Sequence, residues 1–136
     1  MQEPSLEATL NLVEALCGER LDKTGQRIYF HMVRCVETLK SQGKPLPVLN
    51  AMALHDVGGE DTCLKITTML EFGYSGRTCW LTSMLTHDKA AMSYEVYIDR
   101  MIAASDLDLL DCKLADNTDN IDPARGAKLR WETDRQ

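Results

Sequence analysis

Apolar residues recur at intervals of three and four along most of the chain, which is the spacing of one face of an α-helix. The first run follows Ser5, a residue type that commonly caps helix N-termini, and consists of Leu6, Leu10, Val13 and Leu16. A second run covers about Arg27 to Lys40, with an apolar face of Met32, Val33, Val36 and Leu39. Gly43, Pro45 and Pro47 end this run and open a third helix that carries His55.

The rest of the chain predicts four more helices. Thr62 is the predicted cap of a helix from Cys63 to Phe72, and Ser75 begins the next one. Ser93 precedes a helix from Tyr94 to Ala104, and Asp106 precedes a last helix that runs to about Asn120. The predicted core stripe of that last helix is Leu107, Leu110 and Leu114.

No stretch alternates apolar and polar residues with a period of two, which disfavours β-strands. We therefore predict an all-α bundle of about six to seven helices. Residues 1–122 are predicted to form one domain, and 123–136 a short basic C-terminal tail. The length of 136 residues and the hydrophobic content of 44% fit one domain with one core.

Charge and composition restrict the possible partners. The formal net charge of −6 disfavours binding to double-stranded nucleic acid or to an acidic membrane surface. No apolar run approaches the roughly 20 residues of a membrane span, and the acidic, polar N-terminus does not resemble a signal peptide. Five widely spaced cysteines without a C-x-x-C motif indicate free thiols in a reducing compartment. We expect a cytoplasmic protein.

The candidate chemistry centres on the end of the third helix. His55 and Asp56 are adjacent, and because neighbouring helical residues differ by about 100°, both side chains can border one cleft. An imidazole and a carboxylate together suit a first-row divalent ion such as Mn²⁺, Fe²⁺ or Zn²⁺. Beyond Gly58-Gly59, the pair Glu60-Asp61 offers two more carboxylates that can act on water. The alternative interpretation is a solvated helix end followed by a glycine turn.

Several ordered motifs resemble one known family. The order His31, His55-Asp56, Asp116 resembles the H…HD…D signature of the HD-domain phosphohydrolases. The local sequences are similar to the small alarmone hydrolases, the stand-alone relatives of the hydrolase half of RelA/SpoT proteins. The similar segments, which span roughly residues 10–122, are 22–25, 53–62, 71–73, 85–89, 94–98 and 113–120.

This resemblance implies a function for particular residues. The implied ligands of one Mn²⁺, or of another divalent first-row metal, are His31, His55, Asp56 and Asp116. The implied catalytic pair, which orients or deprotonates the attacking water, is Glu60 and Asp61. The implied contacts to an anionic nucleotide substrate are Lys23 and Asn120.

The chain also departs from the family pattern. Three residues, Val57-Gly58-Gly59, separate His-Asp from Glu-Asp where the family usually has two. One extra residue would rotate a helix by about 100°, but two glycines can absorb it as a loop or bulge. The family's C-terminal helices have little counterpart after Pro123. A cleft completed by a second copy in a homo-oligomer is therefore one expectation.

The function implied by the resemblance is removal of the 3′-pyrophosphate from (p)ppGpp-like alarmones. Two alternatives stay open. One is another nucleotide phosphohydrolase, acting on a dNTP, an NMP or a pyrophosphorylated RNA end. The other is a catalytically weak, antitoxin-like nucleotide-binding module that retained the metal site. The sequence also leaves open whether Arg34 and Arg77 bind phosphate or pair with local carboxylates, and whether His87 faces a substrate or lies in a polar surface loop.

Overall fold

The computed structural model describes residues 2–22, 24–58 and 64–121. Within these ranges the chain forms seven α-helices and no strands, so the predicted all-α fold is confirmed. The helices are α1 (Leu6–Cys17), α2 (Ile28–Ser41), α3 (Leu46–Leu54), α4 (Ile66–Glu71), α5 (Gly76–Leu85), α6 (Tyr94–Ala104) and α7 (Leu107–Asn120). None of the helices in the described ranges is long and apolar enough to cross a membrane.

Four of the helices begin at the predicted capping residues. The capping side chains each accept a hydrogen bond from a backbone N–H in the first turn, and they are Ser5, Ser75, Ser93 and Asp106. These bonds are 3.1–3.2 Å long. They satisfy donors that a helix leaves free at its N-terminus, and so they fix where each helix starts.

The predicted start of the fourth helix was wrong. Thr62 and Cys63 lie outside the described residues, and the helix begins only at Ile66, with Lys65 as its N-terminal boundary. The reason lies at Leu64, whose backbone N–H donates a 2.8 Å hydrogen bond to the carbonyl of Val57. This hydrogen bond to a residue seven positions earlier places Leu64 in an isolated bridge with Gly58 rather than in a helix.

Helix α3 lies at the centre of the molecule and packs against α1, α2, α5 and α7. Every residue from 48 to 54 is buried, which is typical of a helix surrounded on all sides. Ala51 and Ala53 are completely buried, and their small side chains permit close helix approach. The next residue, His55, is consequently delivered into the interior of the bundle.

The predicted core face of α7 was also wrong. Leu107 and Leu114 are 70% and 63% exposed, and Leu110 is only partly buried. The buried face is rotated from the predicted stripe and consists of Leu109, Cys112, Ala115 and Asp116. This face packs against α2, α3 and α5, where small side chains allow close packing and where Asp116 meets two histidines.

The described cysteines are buried free thiols, as predicted, and they are Cys17, Cys35, Cys79 and Cys112. Burial raises the pKa of Cys112 to about 12, and the negative charge of Asp108 adds to the increase. Cys112 is therefore protonated near neutral pH, and the buried thiols act as small apolar core groups. Cys63 lies outside the described residues.

Candidate metal centre

Three of the four predicted metal ligands converge in the core from different elements. His31 comes from α2, His55 from the residue after α3, and Asp116 from α7. Oδ1 of Asp116 lies 2.7 Å from Nε2 of His31 and 3.4 Å from Nε2 of His55. These ligand atoms all lie within 4.8 Å of one another, and all three residues are buried. Atoms that share one ion at about 2.1 Å are separated by roughly 3–3.5 Å, so the 3.4 Å pair suits a single first-row ion and the 2.7 Å pair would move slightly apart to hold it.

The fourth predicted ligand, Asp56, lies beside this group. Its Oδ2 is 3.4 Å from Nε2 of His55, and its side chain is 42% exposed. It does not belong to the set of three whose ligand atoms are mutually within 4.8 Å. Asp56 therefore borders the centre from the solvent side, whereas His31, His55 and Asp116 form its buried wall.

The orientation of His31 is fixed by an aspartate that the sequence analysis missed. Nδ1 of His31 donates a 2.6 Å hydrogen bond to Asp119, which also accepts a 2.7 Å bond from Nε of Arg34. Metal-binding histidines commonly present their second nitrogen to a carboxylate in this way. Nε2 then faces Oδ1 of Asp116 at 2.7 Å, a separation at which a proton or a metal ion lies between the two atoms. The available signal was spacing: Asp119 follows Asp116 by three, and Arg34 follows His31 by three, on facing helices.

His55 supplies the clearest indication of a cation site. Its Nδ1 donates to the carbonyl of Met52 at 2.5 Å, and because a carbonyl only accepts, the proton of the neutral ring belongs on Nδ1. Nε2 is buried and has no hydrogen-bond partner among the described residues. Its neighbours are carboxylate oxygens of Asp56 and Asp116, each at 3.4 Å. A buried polar atom without a partner is costly, and a divalent ion at this position would satisfy it.

The electrostatics of the centre favour cations. Burial lowers the pKa of the His55 imidazole, but the carboxylates of Asp56 and Asp116 outweigh burial and raise the pKa to about 9, so at neutral pH without an ion Nε2 carries a proton, which a divalent ion would replace. Burial disfavours ionisation of Asp116, yet the two imidazoles and Lys113 hold the pKa of this carboxyl well below its usual range. Asp116 is therefore an ionised carboxylate at neutral pH, as a metal ligand must be.

A second group, His31, Cys35 and Asp119, also brings its ligand atoms within 4.8 Å of one another. Burial and the charges of Asp116 and Asp119 raise the pKa of Cys35 far above its usual value, so it remains a thiol rather than a metal-binding thiolate. Asp119 is already held by Arg34. The group containing His55 is therefore the better metal site.

Two residues of α7 hold the Asp116 carboxylate from the other side. Lys113 donates to Oδ2 at 3.1 Å, and Asn120 donates to Oδ1 at 3.4 Å. Because Lys113 occupies Oδ2, the other oxygen is the one that faces the two imidazoles. Asn120, predicted as a substrate contact, thus lies beside the centre and touches one of its ligands.

Three predicted site residues, Lys23, Glu60 and Asp61, lie outside the described residues. Next to Lys23 in the sequence, Asp22 accepts hydrogen bonds from the backbone N–H groups of Thr24 and Gln26 at 2.8 and 3.2 Å. This is the local pattern expected of an aspartate that opens a turn.

Gly58, at the start of the segment that carries Glu60 and Asp61, is required by packing. A Cβ built there would lie 2.8 Å from Cγ2 of Thr82 and 3.1 Å from the carbonyl oxygen of Leu54. The carbonyl of Gly58 accepts a 3.0 Å hydrogen bond from Thr86. Gly58, the first glycine of the Val57-Gly58-Gly59 segment, therefore lets the chain pass directly against α5.

The remaining polar candidates are engaged with local partners. Arg34 pairs with Asp119, and Arg77 binds Asp106 through two hydrogen bonds of 2.6 and 2.9 Å. His87 lies in the predicted loop and its Nε2–H donates to the carbonyl of Met92 at 2.9 Å. Of the two alternatives left open by the sequence, both arginines therefore show the second, pairing with nearby carboxylates.

Comparisons with known proteins assign no family to the chain. No protein-family model matches it, and no curated protein matches its sequence. The resemblance to the HD-domain phosphohydrolases stays an expectation drawn from its motif residues, three of which the structure brings together.

Proposed function

We propose that the protein is a metal-dependent phosphohydrolase that acts on nucleotides and removes the 3′-pyrophosphate from (p)ppGpp-like alarmones. The observation that carries the proposal is the buried, unpartnered Nε2 of His55, which faces carboxylates of Asp56 and Asp116 beside Nε2 of His31. These residues occur in the order of the H…HD…D signature.

The residues that would hold the ion are His31, His55 and Asp116, with Asp56 at the solvent side. Two imidazoles and carboxylate oxygens suit Mn²⁺ or another divalent first-row ion. Such an ion supplies Lewis acidity, which lowers the pKa of water and neutralises charge on a phosphoryl oxygen.

The protein's own side chains supply orientation and proton transfer in this proposal. Asp119 and the Met52 carbonyl fix the tautomers of the two histidines, and Lys113 fixes the Asp116 carboxylate. Glu60 and Asp61 are the proposed bases that orient the attacking water and take its proton. Lys23 and Asn120 are the proposed contacts to the nucleotide.

The decisive experiment is a substrate panel of ppGpp, pppGpp, dNTPs, NMPs and 3′-nucleotides, with and without Mn²⁺, read for pyrophosphate and for phosphate. We expect Mn²⁺-dependent pyrophosphate release from ppGpp. Asp116→Asn should lose Mn²⁺ and lower turnover by more than about a hundredfold. The matched control is Asp99→Asn, because Asp99 is an exposed carboxylate on α6.

Other results of the substrate panel would favour one of the alternative functions. Hydrolysis of only another nucleotide would transfer the proposal to that substrate. Mn²⁺ and nucleotide binding without turnover of any substrate would favour the antitoxin-like binding module. Wild-type protein that binds no divalent ion would overturn the proposal.

A further inference from the structure

An aromatic cluster of His87, Tyr94 and Tyr97 lies beside the metal centre. The rings of His87 and Tyr97 stack nearly parallel, with centroids 4.8 Å apart and an angle of 16°. Tyr97 is buried and donates to the carbonyl of Leu85 at 2.7 Å, so its ring is fixed. Tyr94 contacts both rings, at 5.7 Å from Tyr97 and 5.8 Å from His87. Unlike Tyr97, it is 53% exposed. The cluster therefore presents one supported ring to solvent.

Lys113 links this cluster to the metal centre. Its ammonium lies 5.7 Å from the Tyr94 ring centroid and 5.4 Å from that of Tyr97, and it donates to Asp116 at 3.1 Å. A single ammonium group thus separates the exposed Tyr94 ring from a carboxylate of the centre.

The ammonium of Lys113 has unused hydrogen-bonding capacity. The side chain is only 16% exposed, and its three N–H donors make one hydrogen bond within the described part of the chain. A largely buried ammonium is stabilised by further acceptors. An oxygen of a phosphate group would provide both acceptors and opposite charge.

The charge of the region also suits an anion once an ion is bound. Among the described residues, Asp56, Asp116 and Asp119 are opposed by Arg34 and Lys113, so a divalent ion would change the summed charge of these five groups from −1 to +1. A phosphate near Lys113 would then lie next to the metal centre, where the proposed reaction requires it.

We propose that Lys113 and Tyr94 form a nucleoside-phosphate subsite, in which Lys113 binds a phosphate oxygen and the Tyr94 ring stacks on the base. The position of the phosphate rests on the proposed function. The adjacent ammonium and exposed ring match a ligand with a phosphate beside a flat ring. Base stacking on a tyrosine tolerates different bases because every base has a π-face. A phosphate compound without a base would use Lys113 alone.

The test compares binding of GDP and inorganic pyrophosphate to the full chain with Mn²⁺, by isothermal titration calorimetry. Tyr94→Leu should weaken GDP binding about tenfold and leave pyrophosphate binding unchanged. Tyr94→Phe, which keeps the ring, should bind both like the wild type. Lys113→Gln should weaken both ligands, with Mn²⁺ affinity measured in parallel because Lys113 also contacts Asp116.

The matched control is Trp80→Leu. Trp80 is another exposed ring next to a cation, 39% exposed and 5.5 Å from the guanidinium of Arg77. Arg77 binds Asp106 and Asp108 at the opposite end of α7 from Asp116. Trp80→Leu should therefore leave both affinities unchanged, and a loss equal to that of Tyr94→Leu would overturn the subsite.

The remaining outcomes separate this inference from the proposed function. If Tyr94→Leu binds GDP like the wild type while Mn²⁺-dependent hydrolysis persists with an unchanged KM, the subsite is wrong and the function stands. If GDP binding depends on Tyr94 but no nucleotide is hydrolysed, the subsite stands and the function is wrong. A wild type that binds neither GDP nor pyrophosphate overturns the subsite.

Discussion

The carboxylate of Asp119 orients one residue of the candidate metal centre without belonging to the proposed ligand set. It accepts a hydrogen bond from Nδ1–H of His31 and is itself held by Arg34. Loss of such a partner typically reduces metal affinity or activity by about 10–100-fold, because the imidazole is no longer oriented.

We therefore expect Asp119→Asn to weaken Mn²⁺ binding by about 10–100-fold while the protein stays folded. Mn²⁺ electron paramagnetic resonance titration measures the affinity, and circular dichroism verifies the fold. Asp99→Asn serves as the control. Unchanged affinity in Asp119→Asn would show that His31 is oriented by its helix alone.

A second prediction about a single residue concerns Gly58. Gly58→Ala places a methyl group 2.8 Å from Cγ2 of Thr82, and overpacking of this kind costs about 1–3 kcal/mol. Thr82→Ser removes Cγ2 but keeps the hydroxyl, which donates to the Thr78 carbonyl at 2.8 Å. In urea unfolding, the double variant should recover part of the stability lost by Gly58→Ala. Equal stability of Gly58→Ala and wild type would refute this explanation.

Individual site residues were partly predictable from the sequence. The identities of His31, His55 and Asp116 followed from an ordered motif, and the structure brings the three side chains together. Asp119 was missed because its role depends on which face of α7 meets α2, and its three-residue spacing from Asp116 becomes informative only once that face is known. The same applies to Lys113, whose neighbours Tyr94 and Tyr97 come from a different helix.

At the scale of the element, α7 shows why helix starts were easier to predict than helix faces. Its N-terminus depends on one local hydrogen bond, from Leu109 N–H to Asp106. Its buried face depends on the whole bundle. Leucines occur on both sides of the helix, and Leu107 and Leu114 lie on the exposed side. The stripe predicted from the sequence was the more hydrophobic one. The buried face is instead the one that contains Asp116, which contacts His31.

The difference between the observed and the predicted core face of α7 can be tested with two leucine variants. Leu109→Ala removes a fully buried side chain and should cost about 2–5 kcal/mol of unfolding free energy. Leu114→Ala changes a residue that is 63% exposed, so its effect should stay within about 0.5 kcal/mol. Urea denaturation measures both values, and a larger loss in Leu114→Ala would mean that the original core stripe was correct.

Ion pairs at the N-terminal end of α7 predict a pH dependence. Asp108 pairs with Lys44 at 2.9 Å and with Arg77 at 3.1 Å, and the hydrogen bond from Lys44 is the main cause that lowers the pKa of Asp108 below its ordinary 3.8. Because the folded-state pKa is lowered, this stabilisation is present above the ordinary pKa and is lost as the pH falls below it.

Asp108→Asn should therefore reduce stability at pH 7 and show a weaker loss of stability on acidification than the wild type. Chemical denaturation at a series of pH values between 7 and 2 measures the difference. Asp99→Asn, which changes an exposed carboxylate, provides the baseline. If the unfolding free energies of Asp108→Asn and wild type change in the same way with pH, this ion-pair group does not contribute to the pH dependence of stability.

For the whole molecule, Mn²⁺ is expected to stabilise the fold. A ligand that binds only the native state adds about 2.7 kcal/mol at a hundredfold excess over its Kd, which corresponds to roughly 10 °C in Tm for a chain of this size. Differential scanning calorimetry of EDTA-stripped protein, with and without Mn²⁺, measures the shift. Asp116→Asn should show almost none, and an unchanged wild-type Tm would argue against the site.

The overall helical architecture was predictable because its causes are local. Capping residues such as Ser5 and Ser93 and three- to four-residue periodicity act within a few positions. The late start of α4 was not predictable, since it results from the pairing of Leu64 with Val57 across an intervening segment. Neither capping residues nor three- to four-residue periodicity reports a pairing between residues seven positions apart.

The hydrogen bond between His31 and Asp116 joins positions 85 residues apart in the chain. An ion held by both side chains would act as a cross-link that closes this long loop, and the entropy of closing a loop grows with its length. The two side chains can hold such an ion together only after α7 has docked against α2. Metal loading would thus report whether α7 is docked, and withdrawal of the ion would weaken the attachment of α7 to α2.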